Sequence, residues 1–234
     1  MLFRSPVHPD SIDAVVLTHA HIDHTGWLPR LVAQGFKGPV YCTGGTADIC
    51  QLVLPDAAHL QEEDAKFANA RGYSKHHPAM PLYTKEDAAE ALSRLKPSPF
   101  GKKIFVGKGI QAEFINAGHL LGSSYVLVTR TDGSGGRILF GGDLGRYNRP
   151  ILPDPSPAVA ADVLLVESTY GDRKHPEEDD GSTLATIIRT PNASCTERPE
   201  RRKTTAAIAS EAKAVHCCHK WRCPQNRLRP SRGR

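Results

Sequence analysis

No run in the sequence approaches the roughly 18 consecutive apolar residues that a membrane-spanning helix needs, so no membrane-spanning helix is expected. The opening "MLFRSPVHPD" has no apolar segment followed by a small-residue cleavage site. No secretory signal is therefore expected, and the working compartment is expected to be the cytosol. No internal repeat is apparent. Cysteine is scarce over the first 188 residues, where only Cys42 and Cys50 occur. That stretch also lacks net positive charge, with 18 Lys+Arg against 22 Asp+Glu, a net of −4. The last 46 residues carry 12 Lys+Arg against 3 Asp+Glu, a net of +9, together with Cys195, Cys217, Cys218 and Cys223. The overall +5 therefore describes neither part.

What is present is an ordinary globular composition, 39% apolar and 24% charged over 234 residues, enough for one large domain or two small ones. Two periods alternate. "IDAVVLT" (12–18) and "PVYCT" (39–43) read as buried strands, and "HTGWLPRLVAQG" between them as a short helix capped by Gly35. Residues 46–71 read as helical, with Pro55 expected to split them. In "LYTKEDAAEALSRLKP" Thr84 is the expected N-cap with Asp87 three residues on; Ala88, Leu92 and Leu95 form the stripe, and Pro97 is the stop. From Lys103 the period becomes two, through "KKIFV", "IQAEFINAG", "SSYVLVTR" and "GRILFGGD", with "ADVLLVEST" as a further strand. The expected class is α/β or α+β layering.

The chemistry begins at "THAHIDHTG". In an extended segment His19 and His21 project to one side, and a turn into a helix at His24 swings Asp23 and His24 toward the same centre. Imidazole and carboxylate suit zinc and similar metals. Four such groups exceed what one tetrahedral ion draws from a single loop, which points to two adjacent metals. Further ligands are expected at strand ends beside glycine: His119 after "EFINAG" and Asp143 after "RILFGG". Taken singly, His119 could equally be a half-buried packed histidine and Asp143 a turn-forming aspartate.

"THAHIDHTG", "NAGHLLGSS" and "FGGDLGR", in that order, resemble the metal motifs of the metallo-β-lactamase superfamily. "LLVESTYGDRKHP" resembles the first signature of its β-CASP branch, which processes RNA and, in some members, DNA. With "LPDAAHLQEEDAKFANARG" and "PLYTKEDA", the chain is most similar to RNA-processing members related to ribonuclease J and the pre-mRNA 3′-end endonuclease, over roughly residues 8–188. The resemblance implies an αββα sandwich, incomplete here, and two zinc ions. His19, His21 and His119 would bind one ion, Asp23 and His24 the second, and Asp143 both. It further implies a hydroxide between the ions as nucleophile toward an RNA phosphodiester, Asp23 as a proton acceptor, and Glu167 as the acid that orients a proton-donating histidine. Glu167 also reads as a turn carboxylate. Arg146, Arg149, Arg173 and Lys174 are candidates to meet phosphates, or else solvated loop charges; His59, His76, His77 and His175 are expected to be solvated or packed.

The family's partner histidines have no counterpart here, so the chain is expected to be a central fragment of a catalytic core, 1–188, with the second zinc short of a ligand. Residues 189–234 are expected to be a disordered basic tail, the product of a shifted reading frame, and "HCCHKWRC" does not have standard zinc-knuckle spacing. RNA is the expected partner and DNA the second substrate considered; no membrane is expected, and homo-oligomerisation is left open. The competing readings are a hydrolase of DNA or small esters on the same fold, and a non-catalytic fragment that binds metal or RNA weakly.

Overall fold

The computed structural model describes residues 7–133, 135–172 and 182–189. The expected tail, with Arg173, Lys174 and His175, lies outside these residues. The chain divides into two units, Met1–Lys174 and His175–Arg234. In the second, the described residues form one helix, Ser182–Arg189.

The first unit is built on two sheets. Strands β1 (Val15–Val16), β2 (Val40–Cys42) and β3 (Leu95–Pro97) form a parallel sheet in that order. Strands β4 (Lys103–Gly107), β5 (Ile110–Asn116), β6 (Ser124–Arg130), β7 (Arg137–Phe140) and β8 (Val163–Leu165) form the second. Its pairs are antiparallel except β7 with β8, which are parallel. The connections within the first sheet carry helices α1 (Ile22–Thr25), α2 (Leu28–Ala33), α3 (Gly44–Arg71) and α4 (Lys85–Ser93). A parallel pair needs such crossovers, because its strands cannot be joined by a tight turn.

Three apolar clusters set the layering. Leu17, Leu31, Val40, Cys42, Cys50, Leu54 and Ala88 are buried where the helices cover one face of the first sheet. Its other face meets the second sheet, with Val16 and Tyr41 packing against Ala112, Phe114 and Val126. The outer face of the second sheet is apolar too, burying Ala117, Tyr125 and Leu139 with Ile115 and Leu127 beside them. Alternation along β5 and β6 supplies both faces at once: Phe114 pairs with Val126 toward the first sheet, and the next pair, Ile115 with Tyr125, faces outward. The result is mixed α/β layering, two sheets with helices outside the first.

Two local expectations fail. Pro55 does not divide the helix; α3 runs unbroken for 28 residues with the proline inside it. Pro55 removes one backbone donor, a cost of about 3 kcal/mol. Cys50, Leu54 and Ala58, on either side of it, are all fully buried in one cluster, and that continuous face offsets the loss. The helix after Thr84 ends at Ser93 rather than running to Pro97, and Leu95–Pro97 instead pairs with β2. Main-chain bonding to an open parallel edge prevails there over the helical spacing of Leu95. The start is as expected, since Thr84 and Asp87 form a reciprocal capping box.

Leu52 is 72% exposed and Leu54 fully buried, two residues apart on α3. Leu54→Ala is expected to cost about 2–5 kcal/mol in denaturant unfolding, and Leu52→Ala less than about 0.5 kcal/mol. Equal losses would contradict the placement of the two leucines on opposite faces of α3.

Candidate metal centre

Three loops converge at one end of the two sheets. The first leaves β1. Its Thr18 carbonyl accepts both the backbone N–H and the hydroxyl of Ser124, each at 2.8 Å, which ties it to the start of β6. His19 is then 1% exposed, and its Nδ1 lies 3.1 Å from Thr18 Oγ1. His21 is the N-cap of α1, and that single turn of helix carries Asp23 and His24. The second loop, between β5 and β6, holds His119. Ser123 Oγ accepts the backbone N–H groups of His119 at 2.9 Å and Leu120 at 3.1 Å, fixing the turn from below. The third, after β7, presents Asp143, and Leu144 donates its backbone N–H to Glu167 Oε1 at 2.6 Å.

The loops fit only because glycine lets backbone meet backbone. A Cβ on Gly145 would lie 2.2 Å from the Gly118 carbonyl carbon and 2.3 Å from the Ala117 oxygen, so the Asp143 loop rests on the His119 loop. Gly122 has φ of +78°, and a Cβ there would lie 2.3 Å from Thr46 N. Its carbonyl accepts the hydroxyls of Thr43 at 2.5 Å and Thr46 at 3.0 Å, anchoring the His119 loop to the first turn of α3. The glycines beside the ligand candidates thus serve loop-to-loop contact.

The side chains meet at the Asp143 carboxylate. Oδ2 is 3.3 Å from His19 Nε2, 3.4 Å from His119 Nε2 and 3.6 Å from His21 Nδ1. His21 Nδ1 is also 3.1 Å from His19 Nε2 and 3.2 Å from His119 Nε2. His19, His21, His119 and Asp143 each present a donor atom, all within 4.8 Å of one another. Donors bound about 2.0–2.2 Å from a tetrahedral ion stand about 3.3–3.6 Å apart; the three contacts to Asp143 Oδ2 fall in that range, and the two imidazole–imidazole distances, 3.1 and 3.2 Å, lie just below it. The other carboxylate oxygen, Oδ1, is 3.1 Å from His24 Nε2, which in turn is 3.6 Å from Asp23 Oδ2. His24 and Asp23 therefore stand on the far side of the carboxylate, outside the four-donor group. Asp23, with a 69% exposed side chain, is the most open of the set.

Burial sets the protonation. Removal from water, reinforced by His24, pushes the His19 imidazole down to about 4, against the opposing pull of Asp143. Burial also lowers His119, again opposed by Asp143. Both rings are therefore neutral at neutral pH, the state in which imidazole binds a metal.

The sequence reading named every side chain of this cluster but missed what holds it. Ser123 lies inside the quoted "NAGHLLGSS", four residues after His119, a spacing suited to a hydroxyl accepting turn N–H groups. Thr18, Thr43 and Thr46 carried no comparable signal. Glu167 steadies the Asp143 loop through the Leu144 N–H. Arg146 and Arg149 lie half-buried just beyond that loop; His59, His76 and His77 are exposed.

In metal-free protein the His19 ring proton signals should titrate near pH 4 by NMR. Because this pKa lies below the ordinary 6.5, its stability contribution is complete above 6.5 and is lost as pH falls toward 4. A midpoint near 6.5 would contradict the burial. Gly145→Ala should cost about 1–3 kcal/mol of stability by forcing the two loops apart; an unchanged thermal midpoint would contradict the contact.

Among the described residues, no helix is long and apolar enough to cross a membrane. The sequence profile of the metallo-β-lactamase superfamily matches residues 2–187. Ribonuclease TTHA0252 of Thermus thermophilus is 40% identical over 167 residues, which cover 71% of this chain and 34% of that protein. Transcription termination factor FttA of Cenarchaeum symbiosum is 35% identical, over 69% of this chain and 23% of that protein. An RNase J-like protein of Methanocaldococcus jannaschii is 31% identical, over 70% and 33% respectively. The chain thus spans about a third or less of the length of these relatives. Profile match, two-sheet fold and His/Asp cluster agree that the chain belongs to the metallo-β-lactamase superfamily.

Proposed function

We propose that the chain is the metal-binding part of a zinc-dependent phosphodiester hydrolase of the β-CASP type, acting on RNA in the cytosol. The observation that carries this reading is the division of the Asp143 carboxylate, with three imidazole nitrogens 3.3–3.6 Å from one oxygen and His24 3.1 Å from the other. His19, His21, His119 and Asp143 would hold one zinc, and Asp23, His24 and Asp143 the second. Zinc bound there would lower the pKa of water to near neutrality and offset the charge developing on the phosphate.

The chain's own residues do the positioning. Buried His19 and half-buried His119 are kept neutral and oriented, Ser123 fixes the His119 turn, and Glu167 fixes the Asp143 turn. Asp23, the exposed carboxylate at the rim, would take a proton from an attacking water. Relatives named ribonuclease and RNase J-like support RNA as the substrate. The second zinc position has one fewer donor than the first among the described residues, so it is the weaker of the two. That difference favours, as the second reading, a fragment that binds a single ion and does not turn over.

Elemental analysis of dialysed protein is expected to give about two zincs per chain, with His119→Ala losing at least one and Asp143→Asn losing both. Ser123→Ala should weaken zinc affinity about 10- to 100-fold through loss of the turn that orients His119. RNA cleavage should stop with chelator and return with zinc, whereas ester and DNA substrates are spared. One zinc or fewer, unchanged by His119→Ala, would sink the dinuclear reading; preferred cleavage of esters or DNA would sink the RNA reading.

A further inference from the structure

The metal centre uses only the first turn of α3; the far end of that helix has a different character. Between residues 65 and 85 the chain carries Lys66, Arg71, Lys75 and Lys85 and no acidic residue, within a first 188 residues that are net −4. The same stretch exposes its rings to solvent, Phe67 by 55% and Tyr73 by 63%. Their centroids are 6.1 Å apart, and the Arg71 guanidinium lies 5.4 Å over the Phe67 ring. Exposed aromatics this close together are unusual on a surface that serves only solubility.

The patch is also held in place. α3 ends at Gly72, in the left-handed conformation with φ of 66°, which turns Tyr73 back beside Phe67. Asn69, two residues after Phe67, donates to the Ala79 carbonyl at 2.9 Å and accepts the Ala79 N–H at 2.7 Å, clamping the following loop onto the helix. Lys85 continues the basic run, and its own N–H bonds to Glu62 on α3 at 2.8 Å. Two planar rings, a planar cation and flanking lysines, presented without further ordering, suit unstacked bases on a polyanionic strand.

We propose that Phe67, Tyr73 and Arg71 form a stacking platform for single-stranded RNA, remote from the metal centre, with Lys75 meeting its phosphates; Lys66 is held by Glu63 at 2.8 Å. This rests on RNA being the substrate. The start of α3 is pinned to the His119 loop through Gly122, so Phe67 lies about 35 Å along the helix axis from that anchor. Single-strand sites occupy on the order of 4–16 nucleotides, and a strand toward the longer end of that range, held on the platform, spans the distance to the centre.

The test compares the zinc-loaded full chain with a Phe67→Ala/Tyr73→Ala variant. The probes are a fluorescent oligouridylate of about 20 nucleotides, followed by anisotropy, and bis(p-nitrophenyl) phosphate, a phosphodiester too small to reach the platform. The variant should bind the oligonucleotide about tenfold more weakly or worse, with thermal midpoint and small-diester hydrolysis unchanged. A Phe67→Trp/Tyr73→Phe variant should retain wild-type binding. Affinity within about twofold of wild type in the alanine variant would overturn the platform, as would loss of self-association in place of RNA binding, which would mark a protein–protein contact. If small-diester hydrolysis is absent while RNA binding depends on the rings, the hydrolase reading fails and the platform stands. If hydrolysis is present and binding ignores the rings, the platform fails alone.

Discussion

The Asp143 carboxylate is the group around which this molecule is organised. Four imidazoles gathered so closely would repel once protonated, and burial already discourages the charging of His19 and His119. Among the described residues, a single carboxylate, with both oxygens engaged, stands in the interior of the cluster and fixes where a cation would sit. Its position depends on a glycine-lined contact, Gly145 on Gly118, that no side chain could occupy. The centre is thus the meeting of three backbones first, and a set of ligands second.

The two-sheet frame explains why those backbones meet. β1 and β6 belong to different sheets, yet the Thr18 carbonyl at the end of one takes both donors of Ser124 at the start of the other. The apolar layer of Val16 and Tyr41 against Phe114 and Val126 keeps the sheets in register, so the loops at their ends arrive together. Loops at strand ends can then carry ligands without bearing the fold's stability. α3 adds a second anchor, since the hydroxyls of its Thr43 cap and Thr46 hold the Gly122 carbonyl. A single helix therefore links the ligand loop at one end to the exposed aromatic and basic surface at the other.

The outer face of the second sheet is less finished than the inner. Val163, Leu164 and Leu165 of β8 are 43–58% exposed, although a parallel strand of that composition ordinarily lies buried. Pairing with β7 through main-chain bonds is what retains β8 at the edge of the sheet.

Much was legible in the sequence because the signals are short in range. His19, His21, Asp23 and His24 are neighbours along the chain, so their convergence follows from one extended segment and one helical turn. The period-two strands and the Thr84–Asp87 box are likewise local. What the tertiary structure alone decided involves partners distant in sequence. The Pro55 helix stays whole because Cys50, Leu54 and Ala58 share a core. Leu95–Pro97 becomes a strand because β2 offers an open edge. Asp143 sets one oxygen beside His19, His21 and His119, the last two 98 residues apart along the chain, and the other beside His24. Chain-local chemistry names the ligands; only packing between elements sets the few ångströms that make them a site.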